Sequence, residues 1–457
     1  MAWLGDARGR SSGVARCGLA LGLGLGASCG GPDDGREDGS QSGTGLTFPL
    51  TVTATDGDTE VAEGEGGDKL DVGHAGNDLG PGGDCPGGGG GGSGEVDFSI
   101  IWIANSPEGT VSKIDTQTGV ELARYYTGPT NGGDDPSRTS VNLAGDVAVT
   151  NRSGGITKFA AREDDCLDRD SSGTIETSTG PNDVRPFGQD ECMLWHLPLP
   201  NGGSNQQGPR PTAWDAGATN NPCLPDSFRV WVGYYDIGVG LGHFYRLDGN
   251  DGTILDEVTA PGWDPYGTNY GPYGGAVDGQ GNFWVTGLWG NLVRIDAVTL
   301  AVDRWDFPGN TDPYGMTVDS EGHVWTAGWN GHVVHFDPNT ETFETFAIGP
   351  NTLRGLQIDR EGMLWAAVNG QCGVAQLDTL TKTIVNPNIP LAGCVTPVGV
   401  SIDIDGFVWI PDQGANLAFK MNPETYDTTV TAGLVQPYTY SDMTGAGLGL
   451  VYNPPTG

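Results

Sequence analysis

Basic side chains are scarce: 22 Lys and Arg face 58 Asp and Glu in a chain of 457 residues, for a formal charge of −36. So acidic a surface repels phosphate backbones, which sets nucleic acid aside as a partner and leaves cations and extracellular ligands open. Histidines number only six, so chemistry that needs an imidazole base has few sources. Long hydrophobic runs are also missing. The N-terminal apolar stretch, Cys17 to Ala27, falls far short of the roughly 20 residues a spanning helix requires.

That stretch follows Arg8, Arg10 and Arg16 and reads as an export leader. It ends Leu25-Gly26-Ala27-Ser28-Cys29-Gly30, which resembles the bacterial lipoprotein signal, with Cys29 as the lipidated residue. The expectation is an exported protein at the outer membrane or cell surface, touching the membrane through a lipid anchor only, with residues 1–28 as signal peptide. Residues 29–97 are rich in Gly, Asp, Glu, Ser and Thr, nearly lack aromatics and close on Gly87 to Gly92. Such a segment buries too little apolar surface to offset its ordering entropy and is expected to be a disordered tether.

From residue 98 to 457 the signal is a repeat. Pro272-Tyr273-Gly274 with Asp278, Gly281 and Trp284 recurs 41 residues later as Pro313-Tyr314-Gly315 with Asp319, Gly322 and Trp325. Leu353-Arg354-Gly355 with Trp365 and Pro397-Val398-Gly399 with Trp409 continue it at tryptophan steps of 40 and 44. Each copy alternates apolar and polar residues around an Asp-x-x-Gly turn and runs into a second hairpin, which makes a four-stranded antiparallel unit. Weaker copies around Trp102, Asp146–Val149 and Trp231 bring the count to seven. The predicted fold class is all-β, a β-propeller of seven four-stranded blades, with six or eight also open. A strand from the Tyr438–Tyr452 tail should close the ring. The repeated tryptophans read as core between blades, and the repeated aspartates as turn formers rather than a metal ring.

A loop insertion, about 163–228, falls between the second and third repeats. Within it Asp168, Asp170, Ser172, Thr174 and Glu176 place oxygens at alternating positions around Gly173, which resembles the start of an EF-hand calcium loop. Position 12 is Thr179 instead of Glu, so Asp190 or Glu191 would supply the last carboxylate by chain reversal. A structural calcium is the expected cofactor. Of eight cysteines, Cys372 with Cys394 is the best candidate disulfide; Cys166 with Cys192 would bracket the acidic loop, with Cys223 competing.

The Pro-Tyr-Gly, Asp-x-x-Gly and aromatic-Trp pattern resembles the streptogramin (virginiamycin B) lyase family. That resemblance implies a seven-bladed propeller and, in active members, a His before the repeat glycine, a Glu and a further His nearby, and magnesium. Here the slots before the glycine hold Tyr273, Tyr314, Arg354 and Val398, and the strand ends that would carry the acid hold Gly287, Gly328, Val368 and Asp412. No His fills a required slot, so the expectation leans away from catalysis. Tyr273, Tyr314 and Arg354, joined by Arg138, should converge at one mouth of the central channel. There they either hold an anion, a sugar face or a protein partner, or merely plug the channel with hydrogen bonds. The alternative function is a metal-dependent lyase or hydrolase of lactone-like substrates.

Overall fold

The computed structural model describes residues 99–215, 228–263, 267–309, 311–349 and 352–452. The leader, Cys29, the tether, Cys85 and Cys223 lie outside the described residues.

The alternating segments fold into seven antiparallel sheets, six with four strands and one with three. In blade four the strands are Pro272–Val277, Phe283–Gly287, Leu292–Ile295 and Val302–Trp305, each paired with the next. Blade one has only Ile100–Asn105, Thr110–Asp115 and Glu121–Tyr126. Its inner edge is covered by the C-terminal segment: Tyr438 N donates to Ala104 O at 2.9 Å, Trp102 N to Met443 O at 2.9 Å, and Pro437 bridges Asn105. Blade one is thus completed by the C-terminal segment along its inner edge, and the ring closes there between the two ends of the propeller. Only the first part of the expected closing tail runs along blade one; Ala446–Tyr452 is a short helix, with Leu448, Leu450 and Val451 buried. Inner strands of neighbouring blades touch one another around the axis.

The repeat residues hold each blade by one device. In blade four Asp278 Oδ1 accepts the amides of Gln280 and Asn282, both at 3.0 Å, and Oδ2 accepts Trp284 Nε1 at 2.9 Å. The same aspartate-to-indole bond recurs at 2.7–2.8 Å in Asp319–Trp325, Asp359–Trp365 and Asp403–Trp409. These four tryptophans are at most 1% exposed. The turn role of the aspartates and the core role of the tryptophans therefore hold. What the spacing did not reveal is that one carboxylate serves both.

The segment between the second and third repeats carries two strands of its own. Met193–Leu197 is the outer strand of blade two, and Thr212–Asp215 the inner strand of blade three. The acidic loop emerges between Phe159 and Met193. Cys166–Cys192 and Cys372–Cys394 are disulfides, with Cα separations of 4.4 and 5.6 Å.

Candidate functional site: an arginine and tyrosine cluster on the axis

In four blades the inner strand begins with a bulge. Pairing jumps from Pro272 to Gly274, Pro313 to Gly315, Leu353 to Leu356 and Pro136 to Arg138. A bulge leaves a residue outside the ladder and re-aims its side chain. The residues so released are Tyr273, Tyr314 and Arg354, which explains why a Pro-x-Gly repeat delivers side chains to the axis. The following glycine is required by crowding: a Cβ on Gly315 would lie 2.4 Å from Arg354 O, and one on Gly399 2.1 Å from Thr439 O. In blade two the released residue is Ser137, and Arg138 pairs with Thr150 one position further on; its guanidinium lies over the ring of Tyr440 and 4.9 Å from the Tyr273 centroid.

The four expected residues do converge, together with others that the repeat did not mark. Tyr314 and Tyr438 hydroxyls lie 2.6 Å apart, and Tyr273 OH is 3.3 Å from Tyr438 and 3.4 Å from Tyr314. Arg354 sits 5.8 Å from the Tyr314 ring and 5.1 Å from Trp329. Arg210 lies 5.1 Å from Tyr273, and Arg152 5.4 Å from Tyr438. Arg152 has Asp135 at 3.1 Å. Among the described residues, Arg138, Arg210 and Arg354 have no carboxylate partner; Arg138 donates to Tyr273 O, and Arg210 to the carbonyls of Asn205 and Gln206. Arg354 Nε, Arg210 Nε, Tyr440 OH and Trp289 Nε1 are buried without a hydrogen-bond partner. Half-buried Trp289, Trp329 and Tyr438 form the outer lip.

Electrostatics follow from this crowding. Burial pushes the Tyr438 phenol up, but Arg354 and Arg152, with hydrogen bonds from Tyr273 and Tyr314, outweigh it and bring it down to about 8. Burial, with Tyr438 adding, raises Tyr273 to about 12 against the pull of Arg210 and Arg138, and burial with Tyr273 and Tyr438 lifts Tyr314 as well. Burial draws Arg138 down to about 9, opposed by Tyr273, Tyr314 and Tyr438, so it keeps its charge at neutral pH. The arrangement is a patch of positive charge behind an aromatic lip, suited to an anionic group with a flat or sugar-like face. Asp412, at a strand end where the lyase family would have its acid, is fully buried and accepts the amides of Val395, Thr396 and Ala415. At the other end of the channel a cavity of about 270 Å³ lies beside the C-terminal helix, lined by Asp359, Arg360, Asp403, Asp405 and Leu450 among others.

The acidic loop is ordered by its own oxygens. Asp168 accepts the amides of Ser172 and Gly173 at 3.0 Å, and Asp170 that of Ser172 at 2.9 Å. Thr174 and Ser172 hydroxyls donate to Glu176 at 2.8 and 3.4 Å. The carboxylate that joins Asp168 and Asp170 is Glu191, whose oxygens lie within 4.8 Å of theirs. Asp190 does not join them: it sits at the start of the turn that leads into Met193–Leu197, and its carboxylate accepts the Thr177 hydroxyl and the amides of Ser178 and Cys192.

His323 closes the Asp319 turn and His335 lies in the strand His332–Asp337. The hairpin register brings them together: His335 Nε2 is 3.1 Å from His323 Nδ1, and His335 Nδ1 is 2.9 Å from Glu344.

No protein-family model matches the chain, and no curated protein does. Solved structures do. Virginiamycin B lyase from Staphylococcus aureus, in its selenomethionine form, shares 15% identity over 66% of this chain and 87% of its own, at a TM-score of 0.48. A protein from Lactobacillus plantarum shares 12% identity over 75% of this chain and 98% of its own, at a TM-score of 0.52. At such identities the likeness is one of fold.

Proposed function

We propose that this chain is an exported, lipid-anchored propeller that binds a carboxylate-bearing, sugar-like small molecule at the axial mouth and does not turn it over. The observation that carries the reading is the trio Arg138, Arg210 and Arg354, buried without a carboxylate partner among the described residues. A buried uncompensated cation costs several kcal/mol, so a fold keeps it where a ligand supplies the missing anion. Trp289, Trp329 and Tyr438 supply the surfaces on which a sugar ring stacks, and Arg354 the charge behind them. The disulfides are compatible with export, and among the described residues no helix is long and apolar enough to cross a membrane.

The acidic loop is read as a structural calcium site, with Asp168, Asp170 and Glu191 as carboxylate ligands and Ser172, Thr174 and Glu176 lining the same loop. The donor set is all oxygen, as calcium prefers, and bound calcium would tie the loop to the strand that Cys192 anchors.

Because Trp289 and Trp329 form the lip, tryptophan fluorescence is the direct test. Glucuronate should change the emission saturably, glucose at equal concentration should not, and Arg354→Met should abolish the response. Equal responses to both sugars would remove the charge from the argument; a response surviving in Arg354→Met would place binding elsewhere.

A further inference from the structure

Blade five departs from the repeat at two positions that face each other. Across the second and third strands the tryptophan is paired with Lys113, Arg246, Arg294, Gln376 and Lys420 in other blades, but Trp325 is paired with His335. The position four residues after the turn aspartate is Asn282, Met363 or Phe407 in blades four, six and seven, but His323 in blade five. Both exchanges put an imidazole beside Asp319.

We propose that Asp319, His323 and His335 form a binding site for a zinc-class divalent transition ion, separate from both the axial mouth and the acidic loop. Their inner atoms already stand at ligand spacing. His335 Nε2 lies 3.1 Å from His323 Nδ1, and His323 Nδ1 lies 3.7 Å from Asp319 Oδ2. A tetrahedral ion with bonds of about 2.0–2.1 Å needs neighbouring ligands roughly 3.3 Å apart. The outer nitrogens face carboxylates: His335 Nδ1 lies 2.9 Å from Glu344, and His323 Nε2 lies 3.6 Å from Asp337. Such partners hold the proton on the outer nitrogen and turn the lone pair of the inner one toward the metal. Glu344 is itself held by Lys382. His335 is 2% exposed, while Glu321, exposed at the surface with its carboxylate 3.7 Å from His323 Nδ1, is placed to take the fourth position or leave it to water. The nitrogen-rich set favours zinc, cobalt or nickel over calcium and magnesium.

Zinc binding to the full chain, measured by competition with a chromophoric chelator, tests the site, with Co2+ absorption reporting a tetrahedral geometry. The expected result is one ion bound through this site, with affinity at least tenfold weaker in His323→Gln and about 10–100-fold weaker in Glu344→Gln. Because His323 reaches the surface, metal-free melting of His323→Gln should match the parent protein, which separates ligation from folding. Failure of the parent protein to bind zinc, or equal zinc affinity and the same Co2+ spectrum in His323→Gln, would overturn the proposal. Arg354→Met should leave zinc binding unchanged.

Discussion

Tyr438 carries the electrostatics of the mouth in a single titratable atom. Its phenol is brought to about 8 in the fold, against roughly 10 in an unfolded chain. An acid with a depressed folded pKa adds stability that is complete above the unfolded value and is lost as pH falls through the folded one. The window is therefore about pH 8 to 10. Phenolate absorbance at 295 nm should show a step near pH 8 that Tyr438→Phe removes, and the stability advantage of the parent protein over Tyr438→Phe should grow from pH 8 to pH 10. Ionisation of this tyrosine with the bulk near pH 10 would mean that Arg354 and Arg152 do not act on it. The tryptophan and aspartate pairs work differently. Burial raises the Asp359 and Asp403 carboxyls, and the indole and amide bonds only partly offset it, so these pairs specify blade geometry more than they add charge stabilisation.

Elements divide into those with a repeat signature and those without. Blades four to seven were legible because Asp-x-x-Gly and tryptophan recur at nearly constant spacing, and the bulge at Pro-x-Gly made Tyr273, Tyr314 and Arg354 legible as axial residues. Arg152, Arg210, Tyr438 and Tyr440 reach the same place from a strand end, a connection and the closing segment, where no periodicity marks them. The His323 and His335 pair was hidden by register, since neighbours across a hairpin are 12 residues apart in sequence. The acidic loop was legible as a ligand pattern, but the choice of Glu191 over Asp190 depended on which face of the returning chain points inward. If that loop holds calcium, chelation should lower the melting temperature, and calcium at about 100 times its Kd should restore about 2.7 kcal/mol. Asp168→Asn combined with Asp170→Asn should melt the same with or without calcium. A parent protein indifferent to chelator would show that the loop is held by its internal hydrogen bonds and Cys166–Cys192 alone.

At the scale of the whole molecule, ring closure by Pro437–Met443 on blade one brings Tyr438 and Tyr440 to the axis, so the segment that seals the fold also builds the mouth. The mouth gathers four arginines in a chain of net charge −36. Such an island within an acidic field draws small anions to one place and holds off other surfaces. The opposing reading makes Arg354 a strut that fills the channel. Cation–π contacts of about 0.5–2 kcal/mol would then have to exceed the several kcal/mol lost on burying its charge. One thermal-melt series distinguishes the two, with the parent protein and Arg354→Met each measured alone, with glucuronate and with glucose. Ligand binding at the mouth predicts that Arg354→Met melts at or above the ligand-free parent, and that glucuronate alone raises the parent and leaves the variant unmoved. A variant that melts well below the parent, with neither protein shifted by glucuronate, would contradict it and make the cluster a plug.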